Sequence, residues 1–136
     1  MHHANRQCSK VGLIVCDLDK FKVINDTYGH TIGDEVLIHF SQALKESVRD
    51  SDSLFRFGGD EFSIIVENAT IDSLIVIEQR IYSAMATDPL LSNYNMSCSL
   101  GHTMMNGMDT QMSFFERADK ALYQNKMFKG RKLSLV

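Results

Sequence analysis

Leu54-Phe55-Arg56-Phe57 and Ser63-Ile64-Ile65-Val66 are runs of aromatic and branched apolar residues, and only Gly58-Gly59-Asp60-Glu61-Phe62 separates them. Strand composition on both sides of a short glycine-containing connection predicts an antiparallel β-hairpin, which makes these two segments neighbours in one sheet. The glycines permit positive φ and leave room for a bulky group against the backbone. Asp60 and Glu61, adjacent on a tight turn, repel one another unless water, a cation or a hydrogen-bond donor offsets them. By itself the tip is compatible with a solvated turn or with a metal site, and Gly and Asp are ordinary turn residues in either case.

The remaining segments alternate between strand and helix patterns. Val11 to Cys16 is a continuous apolar run ending at Asp17, the pattern of a strand buried on both faces. From Thr31 to about Arg49, the residues Leu37, Phe40, Leu44 and Val48 form a helical stripe, and Ile71, Leu74, Ile77, Ile81 and Met85 form a second one that ends before Pro89. Asn95 to Thr103 reads as a strand. Ser113 and Glu116 have capping-box spacing at the head of a helix through Ala118, Ala121 and Leu122, and Lys132 to Val136 reads as a short closing strand. Interleaved strands and helices predict one α/β sandwich, a mixed sheet flanked by helices.

Chain length and composition narrow the function classes. At 136 residues the chain is of single-domain size and buries roughly two-thirds of its unfolded surface. No apolar run reaches the roughly 18 residues of a spanning helix, so no membrane contact is expected. A net charge of -3 argues against broad nucleic-acid binding, which needs a basic face. Cys8, Cys16 and Cys98 lack metal-site spacing and read as reduced thiols of a cytoplasmic protein. His30, His39 and His102 show no zinc spacing and read as structural or ordinary positions. Met104, Met105, Met108 and Met112 cluster around Asn106-Gly107, a loop before the last helix, and read as gap fillers or as a partner surface. Phe114, Phe115, Leu122 and Tyr123 are expected to pack the last helix on the sheet. Met1-His2-His3 has the look of an expression remnant.

The segment from Asp17 to Asp34, with sequence DLDKFKVINDTYGHTIGD, concentrates acidic and amide side chains and two lysines just past a buried strand, where ligands of open α/β sheets bind. A polar surface loop with Asp34 favouring the next helix explains it equally well. In the functional alternative Asp17 binds a cation, backbone N–H groups of a tight turn cradle phosphate oxygens, and Lys22 neutralises them.

Four ordered motifs resemble the GGDEF family of diguanylate cyclases: the Asp17 to Asp34 segment, Arg56 to Phe62, Ser97-x-Ser-Leu-Gly101, and Ala118-Asp119-x-Ala-Leu-Tyr123. The resemblance runs from about residue 11 to the end. It implies a fold like the palm of class III nucleotide cyclases and polymerases, with the Gly58 to Phe62 motif on a β-hairpin. It implies condensation of two GTP into cyclic di-GMP with release of two pyrophosphates, at a homodimer interface. By the same resemblance Asp17, the Leu18 carbonyl and Glu61 hold Mg²⁺, with Mn²⁺ as a substitute, and Asp60 and Glu61 are the catalytic carboxylates. Phe21, Lys22, Asn25, Asp34, Gly58, Gly59 and Lys126 form the GTP site, with Asn25 and Asp34 reading guanine. Arg49, Asp52 and Arg80 match an inhibitory product site, where guanidinium forks suit guanine.

Two departures stand out. Family members usually carry a helix ahead of the first strand, opened by an Asp-x-Leu-Thr-type segment that Asn5-Arg6 does not restore. Residues 1–10 therefore read as a remnant or the end of a shortened helix, residues 11–136 as the domain, and GTP binding as weakened. The segment from Lys126 to Arg131 is one residue longer than the usual Lys-x-x-Gly-Arg, which bears on whether Arg131 reaches phosphate. The resemblance also implies fusion to an N-terminal sensor or regulatory domain. Two other functions compete: a non-catalytic module that binds GTP or cyclic di-GMP, and a cyclase making a cyclic mononucleotide.

Overall fold

The computed structural model describes residues 10–134. Cys8, Asn5, Arg6 and the side chain of Arg131 lie outside the described residues. Four strands, β1 (Gly12–Leu18), β2 (Ser53–Gly58), β3 (Glu61–Val66) and β4 (Cys98–Met104), form one sheet in the order β2-β3-β1-β4. Five helices accompany them: α1 (Phe21–Tyr28), α2 (His30–Ser47), α3 (Ile71–Thr87), α4 (Pro89–Asn93) and α5 (Gln111–Ser134).

Every described pairing is antiparallel, which corrects the expected mixed sheet. The helical crossovers do join strands that run the same way, β1 to β2 and β3 to β4. In each case, however, a third strand lies between the two, so no parallel pair is in contact. This is the split βαβ arrangement.

β1 is buried along its whole length, as a continuous apolar run requires. Ile14, Cys16 and Leu18 face the larger core, which includes Val36, Phe40 and Leu44 of α2 and Leu74, Ile77 and Ile81 of α3. Leu13 and Val15 face the other way, onto Phe114, Ala118 and Leu122 of α5. Helices therefore cover both faces of the central strand, the sandwich expected from the sequence.

The remaining corrections are local. The Asp17 to Asp34 segment is not a loop throughout, because it contains α1, whose Ile24 docks into the larger core. Pro89 follows the end of α3 and opens α4 at its first turn, a position that needs no N–H. Thr110, not Ser113, caps α5: the Ser113 N–H donates to Thr110 Oγ1 at 3.0 Å and the Thr110 N–H donates to Ser113 Oγ at 3.0 Å. The expected closing strand is helical as far as Ser134, and residues 135–136 lie outside the described residues. Tyr123 points away from the sheet, and Met108 and Met112 are 92% and 70% exposed rather than filling a gap.

Candidate active site

Alternation along β1 turns Asp17, its penultimate residue, toward the α5 side of the sheet. The register sets Glu61 of β3 and Ser99 of β4 opposite it, one on each side. Lys126 of α5 donates to Asp17 Oδ2. The other oxygen, Oδ1, is buried and has no hydrogen-bond partner. Burial, with Asp60 close by and outweighing the pull of Lys126, pushes the Asp17 carboxyl up to about 6.

The hairpin tip is tied to this carboxylate through the backbone, since the Leu18 N–H donates to the Asp60 carbonyl at 3.4 Å. Gly58 and Gly59 have φ of +130° and +56°. A Cβ on either would meet nothing within 4 Å. Backbone conformation, not crowding, demands glycine here, and it leaves the space over the turn open. Arg56 holds the turn from below: Nε and Nη2 both donate to the Gly59 carbonyl, at 3.0 and 2.6 Å.

Two residues on, Asp19 is fixed by Ser97 Oγ and Ser99 Oγ, each donating at 2.7 Å, and by Lys129 Nζ at 3.2 Å. Burial alone would raise its carboxyl; the serine hydroxyls and Lys129 outweigh that and hold it below the ordinary value. Lys129 also donates to the Cys98 carbonyl, so α5 is stitched to the start of β4. Asn125 Oδ1 accepts from the Leu100 N–H at 3.1 Å further along the same edge.

Lys20, in the left-handed region at φ 57°, ends the turn after β1 and provides no side-chain cap for α1. α2 likewise begins without a side-chain cap, whereas Thr70, Asp88 and Thr110 cap α3, α4 and α5. The first-turn N–H groups of α1 therefore remain available to an anion, beside a cleft of about 560 Å³ that Lys20, Lys126 and Lys129 line. A second cleft, of about 640 Å³, lies between α2 and the hairpin and brings Asp34 together with Leu37, Arg56 and Phe62. Asn25 sits over Gly33 so closely that a Cβ there would lie 1.7 Å from its Oδ1. Lys22 is exposed, and Phe21 packs partly into the larger core.

The structure thus gathers Asp17, Leu18, Asp60, Glu61 and Lys126 where the two central strands, β1 and β3, meet the hairpin tip. Arg49 and Asp52 form a separate unit. Asp52, whose side chain is 0% exposed, accepts from the Arg49 N–H at 2.9 Å and pairs with its guanidinium at 3.3 Å. Arg49 Nη2 also donates to the Glu67 carbonyl at 2.8 Å. Arg80 is exposed on α3. Asp19, Arg56, Ser97, Ser99 and Lys129, to which sequence reasoning assigned no role, prove structural to the site. The three-residue spacing of Lys126 and Lys129 on one helix was the available signal.

Among the described residues no three His, Cys, Asp or Glu side chains converge tightly enough to hold a metal by themselves. Asp17 does offer its orphaned Oδ1, with Asp60 near it and Glu61 opposite it in the strand register, all of them hard oxygen donors. That chemistry fits Mg²⁺ or Mn²⁺ completed by substrate or water oxygens.

The family profile described as "Diguanylate cyclase, GGDEF domain" matches residues 1–132. The chain belongs to the GGDEF-domain family. It is 42% identical over 123 residues to diguanylate cyclase DgcS of Shewanella oneidensis, covering 90% of this chain and 41% of that one. It is 40% identical over 125 residues to diguanylate cyclase DosC of Escherichia coli K12, covering 89% of this chain and 27% of the other. This GGDEF domain also superposes on the GGDEF domain of PA1120 from Pseudomonas aeruginosa, with a TM-score of 0.82, 30% identity and coverage of 93% and 76% of the two chains. On the GGDEF domain of DgcB from Caulobacter crescentus, solved with c-di-GMP, the TM-score is 0.81 at 25% identity, covering 93% and 77%. The GGDEF domain described here thus spans well under half the length of these two curated relatives. No helix among the described residues is long and apolar enough to cross a membrane.

Proposed function

We propose that this GGDEF domain condenses two GTP molecules into cyclic di-GMP, two chains facing one another with one GTP each. The observation that carries this reading is the buried, unpartnered Oδ1 of Asp17 beside Asp60. A desolvated carboxylate oxygen with no partner is costly, and such a site is suited to a cation and a reacting phosphate that supply the missing interactions.

Asp17, the Leu18 carbonyl and Glu61 hold Mg²⁺ or Mn²⁺. The cation, when bound, neutralises the triphosphate and lowers the pKa of the ribose 3′-hydroxyl. The uncapped N–H groups of α1 take phosphate oxygens, with Lys22 and Lys126 adding charge. Phe21, at the base of α1, supports that turn from the core side. In the cleft by α2, Asp34 accepts from guanine N1–H and the exocyclic amine, which adenine does not offer in that arrangement, and Asn25 adds a second polar contact. Gly58 and Gly59 leave the space in which the nucleotide lies over the turn. Each 3′-oxygen then attacks the α-phosphorus of the facing GTP. The bond to the β-phosphate breaks, pyrophosphate departs with the electron pair, and Asp60 or water takes the hydroxyl proton. Catalysis rests on positioning and charge neutralisation.

Arg49, held by Asp52 with its side chain 46% exposed, would present donors to a guanine of the product, and Arg80 would add a second guanidinium. This reading includes feedback inhibition, a sensor or regulatory domain elsewhere in the full-length protein, and a cytoplasmic location. The deciding test is to incubate the chain with GTP and Mg²⁺ at several protein concentrations and identify the products. Cyclic di-GMP formed at a rate steeper than first order in protein supports the reading. Glu61→Ala should abolish turnover and leave product binding intact. Product binding with no turnover at any concentration points instead to a non-catalytic module, and loss of inhibition in Arg49→Ala tests the product site.

A further inference from the structure

Resting on the cyclase reading, we infer that Lys126 is a built-in counter-ion for Asp17, which only a triphosphate displaces, so that the site admits its divalent cation together with the nucleotide and resists the free ion. Three observations meet here. The Lys126 ammonium sits on Asp17 Oδ2 and neutralises the carboxylate from which a cation would draw its charge. The second Asp17 oxygen stays buried and unpartnered, so a single lysine leaves the site incompletely satisfied. Lys126 also lines the 560 Å³ cleft beside the uncapped start of α1. A phosphate bound there lies within reach of the same ammonium.

Lys129 sets the geometry of this exchange. It pairs with Asp19 at 3.2 Å and with the Cys98 carbonyl, one helical turn beyond Lys126, and so fixes the face that α5 turns toward β1. Lys126 can swing from carboxylate to phosphate while the helix stays in place. A free divalent ion must share Asp17 with a positive charge and gains little. A metal–triphosphate complex brings several negative oxygens, to which Lys126 transfers, and Asp17 is released as the cation arrives. Nucleoside monophosphates, with fewer phosphate oxygens to recruit Lys126, should not open the site.

The test is Mn²⁺ binding followed by electron paramagnetic resonance, with and without a non-hydrolysable GTP analogue. In nucleotide-free protein, Lys126→Met should bind Mn²⁺ about tenfold more tightly than the parent chain, since one nearby positive charge is gone. Lys126→Arg should bind like the parent. The analogue should tighten Mn²⁺ binding in the parent and do so much less in Lys126→Met. Mn²⁺ affinity in nucleotide-free Lys126→Met equal to or weaker than that of the parent overturns the inference. A second measurement needs no variant: the ¹⁵Nζ signal of Lys126 should remain hydrogen-bonded with Mg²⁺ alone and shift when the analogue is added. A signal that responds to Mg²⁺ alone, or that ignores both, overturns the inference as well. Turnover of GTP without tighter Mn²⁺ binding in Lys126→Met sinks the counter-ion and spares the cyclase. Tighter binding in that variant without turnover in the parent does the reverse.

Discussion

Asp17 is kept where its charge is least comfortable. Its carboxyl is pushed up to about 6 by burial and by Asp60, despite the Lys126 ammonium. The folded protein therefore holds this proton more tightly than the unfolded chain does. Folding loses stability from this residue as pH rises from about 4 to about 6 and carries the full penalty above that, up to about 3 kcal/mol. Replacing Asp17 with Asn should raise the thermal midpoint of metal-free protein at neutral pH, by roughly 1–3 kcal/mol equivalent, and converge with the parent below about pH 4. The same variant should lose turnover by at least about a hundredfold, as expected for removal of a group acting on developing charge. A midpoint below that of the parent at pH 7.5 would mean that Lys126 more than offsets the burial. At the hairpin, Gly58→Ala places a side chain at φ +130°, outside even the left-handed region, and should cost more than Gly59→Ala at +56°. Equal melting temperatures for the two variants would contradict that ordering.

At the scale of elements, α5 delivers the lysines, and one glycine sets its distance from the sheet. A Cβ on Gly101 would fall 2.2 Å from the Leu122 nitrogen and 2.5 Å from the Ala118 carbonyl oxygen. Gly101→Ala should therefore push α5 off β4, cost on the order of 2–3 kcal/mol in chemical denaturation, and reduce turnover by withdrawing Lys126. On the opposite face, His102 Nδ1 lies 2.9 Å from Glu78 Oε2, and that carboxylate holds the imidazole above its usual value against the opposing effect of burial. The contribution of the pair to stability is present below about pH 6.5 and fades as pH rises through the raised midpoint of His102. An NMR titration should show that midpoint falling in Glu78→Gln. The sequence reading anticipated a bland His102, because periodicity places a residue on a face and says nothing of the partner there. Helices with full stripes, such as α2 and α3, were legible for the same reason. α1 was not, since eight residues with one buried side chain, Ile24, carry too little period. The closing strand failed because Lys132-Leu133-Ser134 has alternation too short to outweigh the continuation of α5.

For the whole molecule, the sheet order explains why the site forms where it does. Inserting β3 between β1 and β2 puts the hairpin tip beside Asp17, more than forty residues away in sequence, and the crossover through α3 returns β4 with Ser97 and Ser99 to hold Asp19. The motifs carried the identity of the parts and their family. The lysine pairing and the buried orphan oxygen needed coordinates, because they depend on how α5 lies across the strand ends. On the proposed reading a single chain binds one GTP, and joining two nucleotides through two equivalent bonds calls for a second copy related by two-fold symmetry. Turnover should then rise with nearly the square of protein concentration until the dimer saturates. The measurement closest to the central proposal is product identification after incubation with GTP and Mg²⁺ across a protein dilution series. Cyclic di-GMP with two pyrophosphates released per molecule, both lost in Glu61→Ala, is expected. GTP left intact at every concentration, or converted to a cyclic mononucleotide at a rate first order in protein, would contradict it.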